Sequence, residues 1–306
     1  MRLLSTLAPA ALLLGLLLAG VPLPASGQVG SHAERASQID QLLRDGKAQE
    51  AEKAARAAVT EDTQSLAADD PSTLSDRLLL ARAQQATGDA IGAEQECRAV
   101  LAVFTRKLGP DDEKTIGARE VLAALLFAQR RFSEAIREQR TAIAALTKLH
   151  GADTAHVAKA KTSLAAGLTG TGQATEALKL YREAQPVLEK TLGPEHTDTL
   201  LNRTYLSALL VATGQNEEAE TEARAILEIR MRTLGAENPV TLGVAHHLAE
   251  VLRNLNRTED ALNLARQVEA ALQKKLGPDH AQTQATHQLV QQLEAKLEAA
   301  KKPKLR

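Results

Sequence analysis

Glycines recur every 42 residues along most of the chain, and this period constrains the fold more than any other feature. The glycines are Gly109, Gly151, Gly193, Gly235 and Gly277, and one period before Gly109 lies Ala67, in a stretch that continues to Asp69-Asp70 just as Gly109 continues to Asp111-Asp112. A period of 20 to 50 residues without insertions is typical of stacked repeats. We therefore predict a solenoid of six repeats, in which each repeat packs only on its neighbours.

The composition favours helices as the repeating element. Hydrophobic residues make up 44% of the chain but aromatic residues only 2%, so the core must consist mainly of leucine, alanine, valine and isoleucine. Such residues suit closely packed helices better than a sandwich or barrel. The formal net charge of -1 gives no electrostatic attraction to nucleic acid or to an anionic membrane.

The N-terminus has the three parts of a secretory signal. Met1-Arg2 supplies the charge, an apolar run extends over residues 3–18, and small residues precede Gly27. We predict a signal peptide over residues 1–27, cut after Gly27 or Ala25, and an exported chain that is periplasmic or secreted. The alternative is a retained anchor, although the run is shorter than the roughly 20 residues that a spanning helix needs.

Each repeat is predicted to contain two helices. In the third repeat they cover about 113–128 and 133–148, where leucines follow helical spacing. The repeats are predicted at about 32–63, 73–105, 113–148, 155–190, 197–232 and 239–275, followed by a capping helix at 281–299 and a basic tail at 300–306. The array as a whole covers 28–299.

One column of the repeat is always alanine, which predicts a close contact between helices. A larger side chain there would overpack the core by about 1–3 kcal/mol. A second column is leucine in five repeats. The alanines are Ala51, Ala93, Ala135, Ala177, Ala219 and Ala261, and the leucines are Leu80, Leu122, Leu164, Leu206 and Leu248.

The loop between repeats reads as a helix stop followed by a helix start. Basic residues, glycine and often proline end one helix. An acidic column follows: Asp69, Asp111, Asp153, Glu195, Glu237 and Asp279. The next column is predicted to cap the following helix: Asp70, Asp112, Thr154, His196, Asn238 and His280. The acidic column is also compatible with calcium binding, but one carboxylate per repeat does not converge on a point, so we favour capping.

Two further features concern individual positions. Gly167 and Gly170 are expected to weaken the first helix of repeat four, and Pro186 to disturb its second. The only cysteine, Cys97, falls in a core column, so we expect a buried thiol without a disulfide.

These motifs together resemble tetratricopeptide repeats. The shared elements are the Leu-Ala step, Gly-x-x-x-Glu-Ala at the inner turn and Leu-Gly-Pro-Asp/Glu-His at the outer one, and they are similar to the 42-residue form of kinesin light chains. The resemblance covers about residues 32–299 and implies an all-α, right-handed α-solenoid of about six antiparallel helix pairs plus a C-terminal capping helix. It also implies a concave groove that binds peptides or protein segments, and no cofactor.

The repeat geometry places the groove on the first helix of each pair, at positions i, i+4 and i+7. We predict that a partner segment contacts Arg82, Gln85, Glu120, Phe127, Thr162, Thr204, His246, Glu250 and Arg253. For any one of these residues, a merely solvated face is the competing interpretation. The Asn-Asn pair that kinesin light chains carry before the Leu-Ala step is replaced here by other pairs, such as His246-His247.

Other classes of function fit the sequence less well. A metal-dependent enzyme would have to use His246 and Glu250, which lie one turn apart, but zinc needs three or four protein ligands and no third is apparent. We therefore expect neither catalytic residues nor a metal. A self-assembling envelope protein is the second alternative. The polar final helix resembles a cap that stops propagation, so we expect a monomeric scaffold that binds a protein or peptide.

Overall fold

The computed structural model describes residues 31–301, and this part of the chain is entirely helices and connecting turns. The helices are α1 (Ser31–Arg44), α2 (Ala48–Ser65), α3 (Pro71–Thr87), α4 (Ala90–Leu108), α5 (Glu113–Ala128), α6 (Phe132–His150), α7 (Ala155–Gly170), α8 (Ala174–Leu192), α9 (Thr197–Ala212), α10 (Asn216–Leu234), α11 (Pro239–Asn254), α12 (Thr258–Leu276) and α13 (Ala281–Lys301). The predicted signal peptide and residues 302–306 of the tail lie outside the described residues. None of the thirteen helices is long and apolar enough to cross a membrane.

The helices form successive pairs, and the described residues divide into two compact units, with the boundary between Leu180 and Tyr181. In the N-terminal unit, α1 to α7 each pack on the next helix, and α3 also contacts α1 and α5. In the C-terminal unit, α9 to α13 pack in the same consecutive manner, and α11 also contacts α13. The prediction of an all-α solenoid of helix pairs is confirmed.

The alanine column lies in the core of every pair. All six alanines are 0% exposed, and the five leucines of the second column are buried as well. At the end of the array, Leu289 and Leu293 of α13 are buried in a cluster with Leu248 and Leu252 of α11. The capping helix therefore closes the apolar face of the last pair.

The side chain predicted to cap each first helix does so in all six loops. Each accepts a hydrogen bond from a backbone N–H two or three residues later, which satisfies one of the free donors of the helix. The bonds run from Ser72 N to Asp70 (2.8 Å), Lys114 N to Asp112 (2.9 Å), Val157 N to Thr154 (3.3 Å), Asp198 N to His196 Nδ1 (3.1 Å), Val240 N to Asn238 (2.9 Å) and Gln282 N to His280 Nδ1 (3.2 Å).

The acidic column before the caps forms ion pairs that the sequence analysis did not anticipate. Lysine or arginine at the end of the second helix pairs with the acid that precedes the first helix of the same repeat. The pairs are Lys107 with Asp69, Lys148 with Asp111, Arg232 with Glu195 and Lys275 with Glu237. Hydrogen bonds from Lys107 and Lys275 lower the pKa of Asp69 and of Glu237. Because these pairs are exposed, each adds little stability.

The glycine at position 167 has a packing role that changes the expectation for repeat four. A Cβ atom there would lie 1.9 Å from the ring of Phe127, so only glycine lets this ring lie against α7. The loss of helix propensity is thus partly offset by the contact that it permits. Pro186 lies inside α8, as its sequence position indicates.

The inner turns require a left-handed backbone residue, and glycine supplies it in four of the six pairs. Arg130 and Asn256 take the same conformation, with φ of 61° and 60°. A left-handed conformation costs an ordinary L-residue about 1–2 kcal/mol, whereas asparagine tolerates it. Arg130 is therefore a strained residue in a turn that every other repeat builds from glycine or asparagine.

We predict that Arg130→Gly raises the free energy of unfolding by about 0.5–1 kcal/mol. The relief of strain exceeds the extra freedom that glycine gives the unfolded chain, which costs about 0.4–1 kcal/mol. Asn256→Gly is the matched control and should gain less. Urea unfolding of both variants checks this. Equal shifts for the two variants would show that Arg130 is not strained.

Candidate functional site

In the N-terminal unit, three of the predicted groove residues are buried and engaged. Arg82 Nη1 forms an ion pair with Asp40 Oδ1 at 2.6 Å. Glu120 Oε2 is 3.0 Å from His156 Nε2, and the Thr162 hydroxyl donates to the Ala158 carbonyl at 3.1 Å. All three are less than a tenth exposed. Their main contacts are therefore inside the unit.

The other two predicted residues of this unit are half-buried. Gln85 lies near the end of α3, and Phe127 lies near the end of α5 with its ring against Gly167. Phe127 also packs against a buried cluster that includes Leu122 and Leu126. These two side chains offer more surface to a partner than Arg82, Glu120 or Thr162 do.

In the C-terminal unit, the predicted residues are half-buried polar side chains. Thr204 donates to its own helix, at the Leu200 carbonyl (2.7 Å). His246, Glu250 and Arg253 follow one another along one face of α11. His246 Nε2 is 3.9 Å from Glu250 Oε2, and Arg253 Nη1 donates to Gln292 Oε1 of α13 at 3.1 Å. The structure thus brings the last three together and holds them beside α13.

Both histidines of the His246-His247 pair are hydrogen-bonded to hydroxyl groups. His246 Nδ1 is 3.0 Å from Thr286 Oγ1, and His247 Nε2 is 2.9 Å from Ser207 Oγ. Burial lowers the pKa of both imidazoles, and the nearby Glu250 carboxylate offsets this only in part. Both side chains are therefore held neutral at neutral pH.

A shallow, open depression in the N-terminal unit lies between α4 and α5. None of the predicted groove residues lines it. Its lining residues are Arg98, Leu101, Ala102, Thr105, Arg106 and Arg119. Arg98 and Arg119 already form ion pairs with glutamates, so the depression is not an open cationic site.

A buried polar cluster where the first and second repeats meet was missed by the sequence analysis. His32 Nδ1 of α1 lies 3.4 Å from Asp76 Oδ1 of α3 and 3.6 Å from Asp62 Oδ2 of α2. Arg35 Nη2 donates to the other oxygen of Asp62 at 2.7 Å, and Arg35 Nη1 lies 3.0 Å from Glu61. Within residues 31–301, this is the one group of at least three histidine, cysteine or carboxylate side chains with converging ligand atoms.

The carboxyl groups of this cluster are strongly affected by burial. The side chain of Asp76 is 0% exposed and that of Asp62 is 6% exposed. Burial, with the neighbouring Asp62 charge, raises the pKa of Asp76 to about 7. Burial also lowers the pKa of His32, and the Asp62 carboxylate opposes this effect.

The repeat alignment carries a signal that points to this cluster. One period after Asp62 come Phe104, Leu146 and Leu188, and one period after His32 come Leu74 and Ile116. Asp76 is followed at the same interval by Ala118 and Ala160. Three columns that are apolar in the next two periods therefore hold ligand-type side chains where the first and second repeats meet, although Arg230, Asn202 and Thr286 are polar residues in two of these columns further along.

Comparison with known proteins identifies the repeat. Two family models, both described as tetratricopeptide repeat, match the chain. The first matches residues 156–231 and 200–274, and the second matches residues 115–156. Together they span 115–274, which is more than half of the 306 residues. A comparison with curated proteins found no match.

Solved structures give the same repeat fold. A kinesin light chain structure from Podosopora anserina, whose TPR-like repeats are nearly identical to one another, shares 25% sequence identity with this chain, with a TM-score of 0.61 over 66% of this chain and 96% of its own. BtubC (BKLC) from P. vanneervenii is 18% identical, with a TM-score of 0.56 over 85% of this chain and 95% of its own. A Rap protein complexed with Competence and Sporulation Factor is 14% identical, with a TM-score of 0.56 over 88% of this chain and 73% of its own.

The neutral histidine pair predicts a pH dependence of stability. A histidine with a lowered pKa in the folded state contributes stability that is complete above its unfolded pKa of about 6.5 and is lost as pH falls below it. The raised pKa of Asp76 acts in the opposite direction, but equally in any variant that keeps Asp76. We therefore predict that, between pH 7.5 and pH 5, the thermal midpoint of the wild type falls relative to that of the double variant His246→Gln, His247→Gln. Thermal unfolding of both proteins at both pH values measures this difference. The same change of midpoint in both proteins would show that these histidines do not contribute.

Proposed function

This chain belongs to the tetratricopeptide repeat family, and we propose that it is an exported, non-catalytic scaffold that binds a peptide or protein segment on the first helices of its repeats. The observation that carries the proposal is the family assignment, together with the fact that helix pairs and a capping helix account for all of residues 31–301. No described segment is left for a separate catalytic domain.

The binding mode follows from how such helices present side chains. A partner segment can contact residues at i, i+4 and i+7 on one helix face. In the C-terminal unit, the face formed by His246, Glu250 and Arg253 offers two opposite charges and an imidazole to such a segment. In the N-terminal unit, Gln85 and Phe127 offer an amide and an aromatic ring. The Rap protein complexed with Competence and Sporulation Factor is a structural relative in which this fold carries a bound factor.

Export rests on the N-terminal sequence alone. The charged start, the apolar run and the small residues before Gly27 support a cleaved signal peptide. A periplasmic or extracellular location follows from it. The partner would then be a protein of the same compartment.

We expect affinity capture from the exported protein fraction to recover a partner with the mature chain but not with the double variant Glu250→Arg, Arg253→Glu. Charge reversal on this face removes attraction and introduces repulsion of several kcal/mol where like charges meet. The matched control is Arg224→Glu. Arg224 is an exposed arginine on α10, the second helix of its repeat, and it pairs with Glu220 on the same helix. Mass spectrometry should place the N-terminus of the natural exported chain at Ser26 or Gln28.

Equal capture by the double variant and the wild type would contradict the face assignment. An uncleaved chain in the cytoplasm would contradict export. Light scattering of the purified chain separates the scaffold from a self-assembling structural protein. The capping helix α13 predicts a monomer, whereas concentration-dependent polymers would favour self-assembly.

A further inference from the structure

Three ligand-type atoms from three different helices converge where the first and second repeats meet, and two of their separations match those of a metal coordination shell. Zinc lies about 2.0–2.2 Å from nitrogen and oxygen ligands in a tetrahedron, which sets neighbouring ligand atoms about 3.3–3.6 Å apart. His32 Nδ1 is 3.4 Å from Asp76 Oδ1 and 3.6 Å from Asp62 Oδ2. All three atoms lie within 4.8 Å of one another.

These atoms have few other contacts. Among residues 31–301, the distances and angles give no hydrogen bond to His32 Nδ1, to Asp62 Oδ2 or to either side-chain oxygen of Asp76, and all four atoms are buried. Arg35 Nη2 lies 3.9 Å from Asp76 Oδ2, and a side-chain interaction with Asp62 contributes to the raised pKa of Asp76. Unsatisfied buried polar atoms are costly and rare in native proteins. Asp76 in particular is a fully buried carboxyl whose oxygens face the imidazole and the second carboxylate, where a cation would satisfy them.

The surroundings suit a cation as well. When both carboxyl groups are ionised, their charge exceeds that of the Arg35 guanidinium, and a divalent ion would compensate the excess in this buried place. Arg35 binds Asp62 through Oδ1 and leaves Oδ2 directed at His32. Hydrogen bonds of this kind to the outer oxygen of a carboxylate orient metal ligands in known sites. The side chain of His32 is 27% exposed, which leaves an entry path from solvent.

The positions one and two periods later show an apolar alternative. Leu74, Phe104 and Ala118 lie there one period later and belong to one buried apolar cluster. Two periods later, Ile116, Leu146 and Ala160 do the same. Further along, the column of Asp62 also holds Arg230 and the column of Asp76 also holds Asn202 and Thr286, but only His32, Asp62 and Asp76 combine an imidazole with two carboxylates. An apolar core would hold the helices together at lower cost, so this donor set favours a ligand.

We propose that His32, Asp62 and Asp76 bind one divalent transition-metal ion, with zinc as its representative. One imidazole and two carboxylates form a donor set that zinc accepts, and three protein ligands leave a fourth position for water or for a group of a partner. The ion ties α1, α2 and α3 together. It makes the first repeat a metal-stabilised end of the array.

The test uses the full chain without a purification tag. Calorimetric titration with Zn²⁺ should give one ion per chain, and saturating Zn²⁺ should raise the thermal midpoint. Co²⁺ should give the visible absorption of a tetrahedral site. Asp76→Asn preserves the volume of the side chain but removes a direct ligand. It should weaken Zn²⁺ binding about 100-fold or more, because loss of a group that only hydrogen-bonds to a ligand already lowers metal affinity about 10–100-fold.

A triple variant, His32→Leu, Asp62→Leu, Asp76→Ala, restores the apolar residues of the other repeats. It should fold, be at least as stable as the metal-free wild type, and show no response to Zn²⁺. His287→Gln, which changes an exposed histidine paired with Glu269, is the matched control and should bind Zn²⁺ like the wild type. A flat Zn²⁺ titration of the wild type would overturn the proposal, and so would unchanged affinity in Asp76→Asn.

Discussion

The close approach of helices at a buried alanine is the contact on which the rest of this structure depends. The six alanines are completely buried, one in each second helix. Because the side chain is a single methyl group, the facing helix can approach closely and the leucine column can fill the remaining space. The 42-residue period repeats this contact, and the loops keep it in register by stopping one helix and capping the next. Local signals and packing therefore agree at every repeat, which is typical of a sequence that specifies one fold.

Most of this architecture could be predicted because the same residue types recur at equivalent positions of successive repeats. The cap residues could be recognised from residue type and position, and Arg130 and Asn256 stood out in a glycine column. What could not be predicted depends on neighbours in space. The buried Glu120 carboxylate contacts His156 of the next repeat, and the buried Arg82 guanidinium forms an ion pair with Asp40 of the preceding repeat. Likewise, the sequence indicates only that Gly167 lowers the helix propensity of α7, whereas in the structure the Phe127 ring packs where a side chain at position 167 would be. Single-residue patterns do not reveal such pairings.

The candidate functional features lie where repeats depart from their own consensus. His32, Asp62 and Asp76 stand where the next two periods hold apolar core residues. In repeat six, His246 and His247 stand at positions that hold other pairs elsewhere. Buried polar groups of this kind carry a cost in desolvation. A regular array tolerates them because each repeat depends only on its neighbours. The two features lie in different compact units, so their roles can be separated by mutation.

The central physical claim is that the buried alanine column sets helix spacing, and one comparison within α6 tests it. Ala135 is buried and Ala144 is exposed on the same helix. Denaturant unfolding of Ala135→Leu should show a loss of about 1–3 kcal/mol from overpacking, while Ala144→Leu should stay within about 0.5 kcal/mol of wild type. Equal stabilities of the two variants would contradict the claim, because they would show that the core accepts a larger residue at the contact.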